Sequence, residues 1–237
     1  MDKSDYILII SDYHPKNMRY IDMQLTDELY AFPWRSFTEN NCNSFLIDGP
    51  FKILIDPGHQ HLFTELRKSL HAIHVGIEDI DLIIATHMHP DHIEAVQSFS
   101  SLSTMVAIHE GEYRYFSQKA ASFHDFTIEP DFFLTEGTLK AGDVELEVIH
   151  SPGHSPGSIC LYWPSHKALF AGDVIFEQGV GRTDLPGGNG EQLKKSISSL
   201  SSLNLELLLP GHGEIIRGRE NIERNFSLIE TMYFGLL

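Results

Sequence analysis

The stretch Asp81-Leu82-Ile83-Ile84-Ala85-Thr86-His87-Met88-His89-Pro90-Asp91-His92 decides the reading of this chain. Its first half is a continuous apolar run, the pattern of a strand buried on both faces. Its second half is a histidine-rich loop leaving the strand's C-terminal end, followed by a predicted helix over Asp91–Phe99. Residues two apart in extended chain point the same way, so His87 and His89 can grip one metal from one side. Asp91 and His92 come where the chain turns into the helix and can point back at a second. Imidazole and carboxylate donors suit zinc, iron or manganese. Four fixed His/Asp positions arise by chance in roughly three in a thousand chains of this composition.

Three later loops carry the same kind of residue. They are Ser151-Pro152-Gly153-His154-Ser155-Pro156-Gly157, Ala171-Gly172-Asp173 and Pro210-Gly211-His212-Gly213. Each follows a strand candidate. Glycine lets the backbone turn sharply and approach a ligand closely there. Four ligand-bearing loops in this order form a pattern that none forms alone.

Strands are expected at Tyr6–Ile10, Glu28–Pro33, Ser44–Asp48 and Phe51–Asp56, the last two joined by the turn Asp48-Gly49-Pro50. Further strands are expected at Met105–His109, Val144–Ile149, Ser158–Trp163, Ala168–Ala171 and Glu206–Leu209. Apolar residues at helical spacing mark His61–His71 and Glu191–Leu203, and a terminal helix carries Ile222, Phe226, Ile229 and Tyr233. Gly111–Lys119 is a further helix candidate. The order points to two sheets with helices outside, a layered α/β arrangement. No Pro/Gly/Ser-rich linker divides it, so one domain spanning residues 1–237 is expected.

Composition bounds the function. The 237 residues carry 17 Lys+Arg against 33 Asp+Glu, a net charge of −16. Such a chain repels nucleic-acid phosphates and anionic lipid, so the expected partner is a small-molecule substrate. A homo-oligomer is compatible with the sequence, but no motif marks an interface. No apolar run reaches the length of a membrane span. The N-terminus lacks the basic n-region of a secretory signal, which makes the cytoplasm the expected location. Cys42 and Cys160 sit among strand residues and read as reduced, small hydrophobes. The 14 histidines nearly equal all Lys and Arg.

These residues resemble the metallo-β-lactamase fold superfamily of metal-dependent hydrolases, whose pattern H-x-H-x-D-H, then His, then Asp, then His is filled at all seven positions. The resemblance implies a four-layer αββα sandwich: two mixed β-sheets with helices outside and metals at one edge. It implies that His87, His89 and His154 bind a first divalent metal ion, that Asp91, His92 and His212 bind a second, and that Asp173 bridges them. Zinc leads, with iron or manganese as alternatives. Gly179-Val180-Gly181-Arg182-Thr183-Asp184 looks like a segment of the glyoxalase II-like branch, which includes hydroxyacylglutathione hydrolases and iron persulfide dioxygenases. Asp56-Pro57-Gly58 resembles the superfamily's early D-x-G turn, whose Asp buttresses the metal loop. One departure stands out: full-length glyoxalase II carries a C-terminal helical domain that helps bind glutathione, and the residues after His212 suffice for one helix.

Two divalent cations a few ångströms apart lower the pKa of a bridging water toward neutrality and make it a nucleophile. A thioester suits such a site because a thiolate leaves readily. Asp91 can orient the nucleophile and shuttle its proton. Arg182 can attract a substrate carboxylate or pair with Asp184. His59, directly after the Asp56 turn, can line the pocket mouth. The alternatives are a mononuclear iron persulfide dioxygenase built on His87, His154 and Asp173, and a lactonase using the dinuclear site. The remaining histidines, His61 among them, read as surface or locally bonded. Phe123, Phe126, Phe132 and Phe133 read as core, with a loop over the site as the alternative.

Overall fold

The computed structural model describes residues 20, 22–36, 38–123 and 128–237, with side chains described throughout except at 119–123. Two large mixed sheets form its centre. The first is built from β1 (Met23–Thr26), β2 (Leu29–Phe32), β3 (Ser44–Asp48), β4 (Lys52–Ile55), β5 (Leu82–Ile84), β6 (Met105–His109) and β7 (Phe132–Leu134), paired in that order. The second comprises β8 (Gly137–Ala141), β9 (Val144–His150), β10 (Ile159–Trp163), β11 (Ala168–Gly172), β14 (Leu207–Pro210) and β15 (Ile216–Arg217), in the order β15-β14-β11-β10-β9-β8. The strands β12 (Ile175–Phe176) and β13 (Gly179–Val180) form a separate small hairpin.

Period-2 alternation sorts each strand's side chains onto two buried faces. In the first sheet, Phe45, Ile47, Ile53, Ile55, Leu82 and Ile84 point into the space between the sheets. Their neighbours Leu46, Leu54 and Ile83 point outward. There they meet α1 (Phe63–Ala72), α2 (Pro90–Ile93) and α3 (Glu110–Phe123). In the second sheet, Leu161, Phe170 and Leu209 face the first sheet. Cys160, Leu169 and Leu208 face α4 (Gly190–Leu200) and α5 (Arg219–Tyr233). Three apolar layers separate four structural ones, giving the αββα sandwich. Burial on both faces is why these strands read as continuous apolar runs. Both cysteines are buried free thiols within it.

The predicted helix over Asp91–Phe99 is broken. One α-turn, α2, passes into a 3₁₀ segment at Glu94–Phe99. Tertiary bonds replace the α ladder there: Cys42 N donates to the Asp91 carbonyl (3.2 Å), and Ala95 N donates to the Gly58 carbonyl (2.8 Å). The strands β7 and β8 lie at sheet edges, and β8 is mostly exposed. Neither carries an alternating apolar pattern that a sequence reading detects. The expected strand Tyr6–Ile10, Phe126 and the Phe123 side chain lie outside the described residues. Phe132 packs against the inter-sheet core, whereas Phe133 is exposed, so the core reading fails for Phe133. Among the described residues, no helix is long and apolar enough to cross a membrane.

Strand direction brings the four loops together. β4 and β5 run parallel, so Asp56 and the His87 loop leave the same edge of the first sheet. In the second sheet, β11 and β14 run parallel, and β9 is antiparallel to β10, which is antiparallel to β11. The ends of β9, β11 and β14 therefore emerge on one side. The sheets are tied there by Ile159 N to the Thr86 carbonyl (3.0 Å) and Asn43 N to the Gly211 carbonyl (2.6 Å).

Candidate metal centre

Three groups of ligand atoms converge at this edge, each with all its atoms within 4.8 Å of one another. They are His87/His89/His154, Asp91/His92/His212 and His87/His92/Asp173. Asp173 lies between the first two: its Oδ1 is 3.2 Å from His92 Nε2, and its Oδ2 is 3.5 Å from both His154 Nε2 and His212 Nε2. All seven residues singled out by the motif spacing are thus brought together.

Hydrogen bonds behind the rings fix which nitrogen faces inward. His92 Nδ1 lies 2.9 Å from Asp56 Oδ2, and a carboxylate accepts, so the ring donates from Nδ1 and turns Nε2 inward. Thr86 gives its hydroxyl proton to Asp56 Oδ2 (2.7 Å) and its amide to Oδ1 (2.8 Å). The Thr86 oxygen is then free to accept from His87 Nδ1 at 3.1 Å. His154 Nδ1 donates to the Arg182 carbonyl at 2.8 Å. In each of the three rings this contact occupies Nδ1 and turns Nε2 inward, where its lone pair is available whenever the ring is neutral.

The residues present fit a cation. His87 Nε2 and Asp173 Oδ1 are buried and have no hydrogen-bond partner. An unsatisfied buried polar atom costs about 1–3 kcal/mol, and two in one site call for a group that satisfies both. His154 Nε2 faces His89 Nδ1 at 2.8 Å, and His92 Nε2 faces His212 Nε2 at 3.3 Å. These pairs are at hydrogen-bond separation, and they turn ring nitrogens of each triad toward one another, where a cation would take their lone pairs.

The ionisation states divide the cluster in two. Burial, with neighbouring histidines, holds His87 well below its ordinary range and His89 at about 3, so both rings are neutral. Burial opposes charge on Asp91 and Asp173, yet the facing histidines outweigh it and keep both carboxylates ionised. Burial likewise opposes charge on His212, but Asp173 and Asp91 push it up to about 9. His92 is raised well above its ordinary value by Asp173 and Asp56 against the same burial. The carboxylates thus attract positive charge, either as protons on His92 and His212 or as a cation that takes the place of those protons.

Close backbone approach shapes the cradle. A Cβ on Gly211 would stand 2.4 Å from Asp173 Oδ1 and 2.7 Å from His92 Cε1, so only glycine fits that turn.

Glu112 on α3 is a site residue that the sequence reading missed. It is fully buried and clamps the His87–His89 loop to the His154 loop: Oε1 accepts from Met88 N at 3.0 Å, and Oε2 from Gly157 N at 2.7 Å. Asn40 was also missed; its Nδ2 donates to Asp91 Oδ2 at 2.6 Å. Neither residue lies in a motif, and each acts across a long stretch of chain.

Arg182 and His59 occupy other places. Arg182 forms an exposed two-pronged pair with Asp184 (2.8 Å each), and its carbonyl anchors His154. His59 faces Glu94 rather than the central cluster. His109 stacks on His150 and His166 on Trp163, as expected of locally bonded histidines; His14 and His124 lie outside the described residues.

A family model described as "Metallo-beta-lactamase superfamily" matches residues 37–215. The chain belongs to the metallo-β-lactamase superfamily. This superfamily member is 37% identical over 185 residues to a probable metallo-hydrolase of Methanocaldococcus jannaschii, covering 73% of this chain and 88% of the relative. It is 30% identical over 187 residues to the hydroxyacylglutathione hydrolase GloC of Haemophilus influenzae, covering 74% and 86%. Among solved structures, a metallo-beta-lactamase family protein from Thermus thermophilus shares the fold, with a TM-score of 0.73, 22% identity and coverage of 90% and 81%. The protein TTHA1623, solved in a di-iron-bound form, matches with a TM-score of 0.62, 29% identity and coverage of 83% and 95%. The chain is a metallo-hydrolase of this superfamily.

Proposed function

We propose that this metallo-hydrolase cleaves thioesters at a centre of two divalent cations, with His87, His89 and His154 holding one, Asp91, His92 and His212 the other, and Asp173 shared. The observation that carries the reading is the position of Asp173, whose oxygens reach histidines of both triads. Bound divalent cations supply acidity to water and polarise a carbonyl.

The chain's own residues do the rest. Asp91, kept ionised, accepts a proton as the water oxygen bonds to the carbonyl carbon. The C–S bond then breaks and the thiolate leaves, taking up the proton that Asp91 held. Asn40 holds the Asp91 carboxylate in place. Asp56, Thr86 and the Arg182 carbonyl hold the rings of His92, His87 and His154. Zinc is the first choice of metal for this nitrogen-rich set, with iron or manganese next.

Thioesters are favoured over other acyl substrates by two supports. Gly179-Val180-Gly181-Arg182-Thr183-Asp184 resembles the glyoxalase II-like segment. The relatives include the hydroxyacylglutathione hydrolase of Haemophilus influenzae and, at 32% identity over 171 residues, an acyl-coenzyme A thioesterase of Gallus gallus that covers 60% of each chain.

The test is a panel of hydroxyacyl-glutathione, acyl-coenzyme A and simple alkyl thioesters beside lactones, with free thiol as the readout. The thioesterase reading expects turnover of at least one thioester, abolished in His87→Ala. Lactone opening without thioester cleavage, or oxygen uptake with a persulfide, would overturn it.

A further inference from the structure

Outside the central cluster, the described residues contain one more group with metal-ligating geometry. His59, His61 and Glu94 bring their ligand atoms within 4.8 Å of one another. We propose that these three residues form a peripheral site for zinc or a similar borderline divalent cation, which staples residues 58–61 to the turn after His92.

The donor set selects the ligand class. Two imidazoles and a carboxylate suit zinc and its neighbours and do not suit magnesium or calcium, which prefer oxygen. The same His₂Glu set serves as a three-ligand zinc site that leaves a position for water.

The geometry needs little adjustment. His59 Nδ1 lies 2.9 Å from Glu94 Oε2, and the rings of His59 and His61 are 5.0 Å apart at 48°. Ligand atoms on a tetrahedral zinc at roughly 2.0–2.2 Å stand about 3.3–3.6 Å apart. His61 is exposed, so its ring can turn to close the remaining distance, and a cation can enter from solvent.

The backbone beneath is fixed. His59 N donates to Asn41 Oδ1 at 2.8 Å, and Gln60 N donates to Glu94 Oε2 at 3.1 Å. Gly58 exchanges two backbone bonds with the facing turn, donating to the His92 carbonyl (3.0 Å) and accepting from Ala95 N (2.8 Å). Gly58 has φ +86° and its Cβ position is filled by the Asn41 side chain, so glycine is required there. The two donor-bearing segments are thus held in register before any cation arrives, which lowers the ordering cost of binding. A cation bridging them would reinforce the same segment that supports His92.

The experiment uses the full chain with its central metals loaded and counted by elemental analysis, then titrated with Zn²⁺ by isothermal titration calorimetry. One further binding event is expected in the wild type, together with a rise in Tm on adding Zn²⁺. Both should be lost in His61→Ala and recovered in part in His61→Cys, which restores a zinc donor. The central metal count and hydrolytic rate of His61→Ala should stay at wild-type values. Absence of the further event in wild type, or its persistence in His61→Ala, would overturn the proposal. Either result leaves the thioesterase reading untouched, because that reading is scored on the loaded centre alone.

Discussion

Asp56 Oδ2 lies 2.9 Å from His92 Nδ1, and the same carboxylate accepts both the amide and the hydroxyl of Thr86. Asp56 itself sits at φ +53°, a backbone position that side chains rarely adopt. One carboxylate thus orients His92 directly and His87 through Thr86. Replacing Asp56 by Asn puts an amide donor against donors. The expected outcome for Asp56→Asn is a loss of about 10–100-fold in metal affinity. Competition with a chromogenic chelator measures it, with circular dichroism reporting that the fold is retained.

Glu112 joins the His87–His89 loop to the Gly157 turn from behind. Glu112→Gln keeps one acceptor and loses the other, leaving a buried N–H of Met88 or Gly157 unpaired. Such a group costs about 1–3 kcal/mol. The expected result is a lower Tm and a lower kcat with KM little changed, and a larger loss in Glu112→Ala. An unchanged kcat in both variants would remove the positioning role.

Metal removal makes stability pH-dependent in a predictable direction. In the stripped protein, His212 is held up to about 9 against an ordinary 6.5, and His92 is raised as well. A raised histidine contributes stability that is full below its unfolded value and is lost as pH rises through its folded value. His87 and His89, held neutral by burial, act only below pH 6.5 and do not oppose this. The Tm of metal-stripped protein therefore falls between about pH 6.5 and 9. The metal-loaded protein shows no such fall. Scanning calorimetry across that range distinguishes the two.

Arg182 presents an exposed guanidinium at the end of a segment whose carbonyl holds His154. Arg182→Ala keeps the carbonyl and removes the charge. It should raise KM for anionic thioesters more than for neutral ones and leave kcat near wild type. An equal change in KM for both classes would assign the side chain to its pair with Asp184.

Much of this was legible in the sequence because the signals were local. The apolar run Leu82–Ile84 and the loop His87–His92 lie within a dozen residues, and each later ligand follows its own strand. The order of strand and helix candidates pointed to two sheets with helices outside, and the family resemblance implied the αββα sandwich. What escaped was set by contacts distant in sequence. The helix over Asp91–Phe99 broke because Cys42 and Gly58 capture its backbone groups. Glu112 reads as an ordinary acidic residue in a helix's first turn until Met88 and Gly157 are seen to donate to it. His61 reads as a surface histidine until Glu94 is seen beside His59.

The proposed hydrolysis rests on a two-cation centre shared through Asp173. Elemental analysis of the His61→Ala variant, purified without chelator, tests it most directly, because the peripheral site is then removed from the count. About two divalent metal atoms per chain are expected, with fewer in Asp173→Ala. A single atom per chain, unchanged by loss of Asp173, would contradict it.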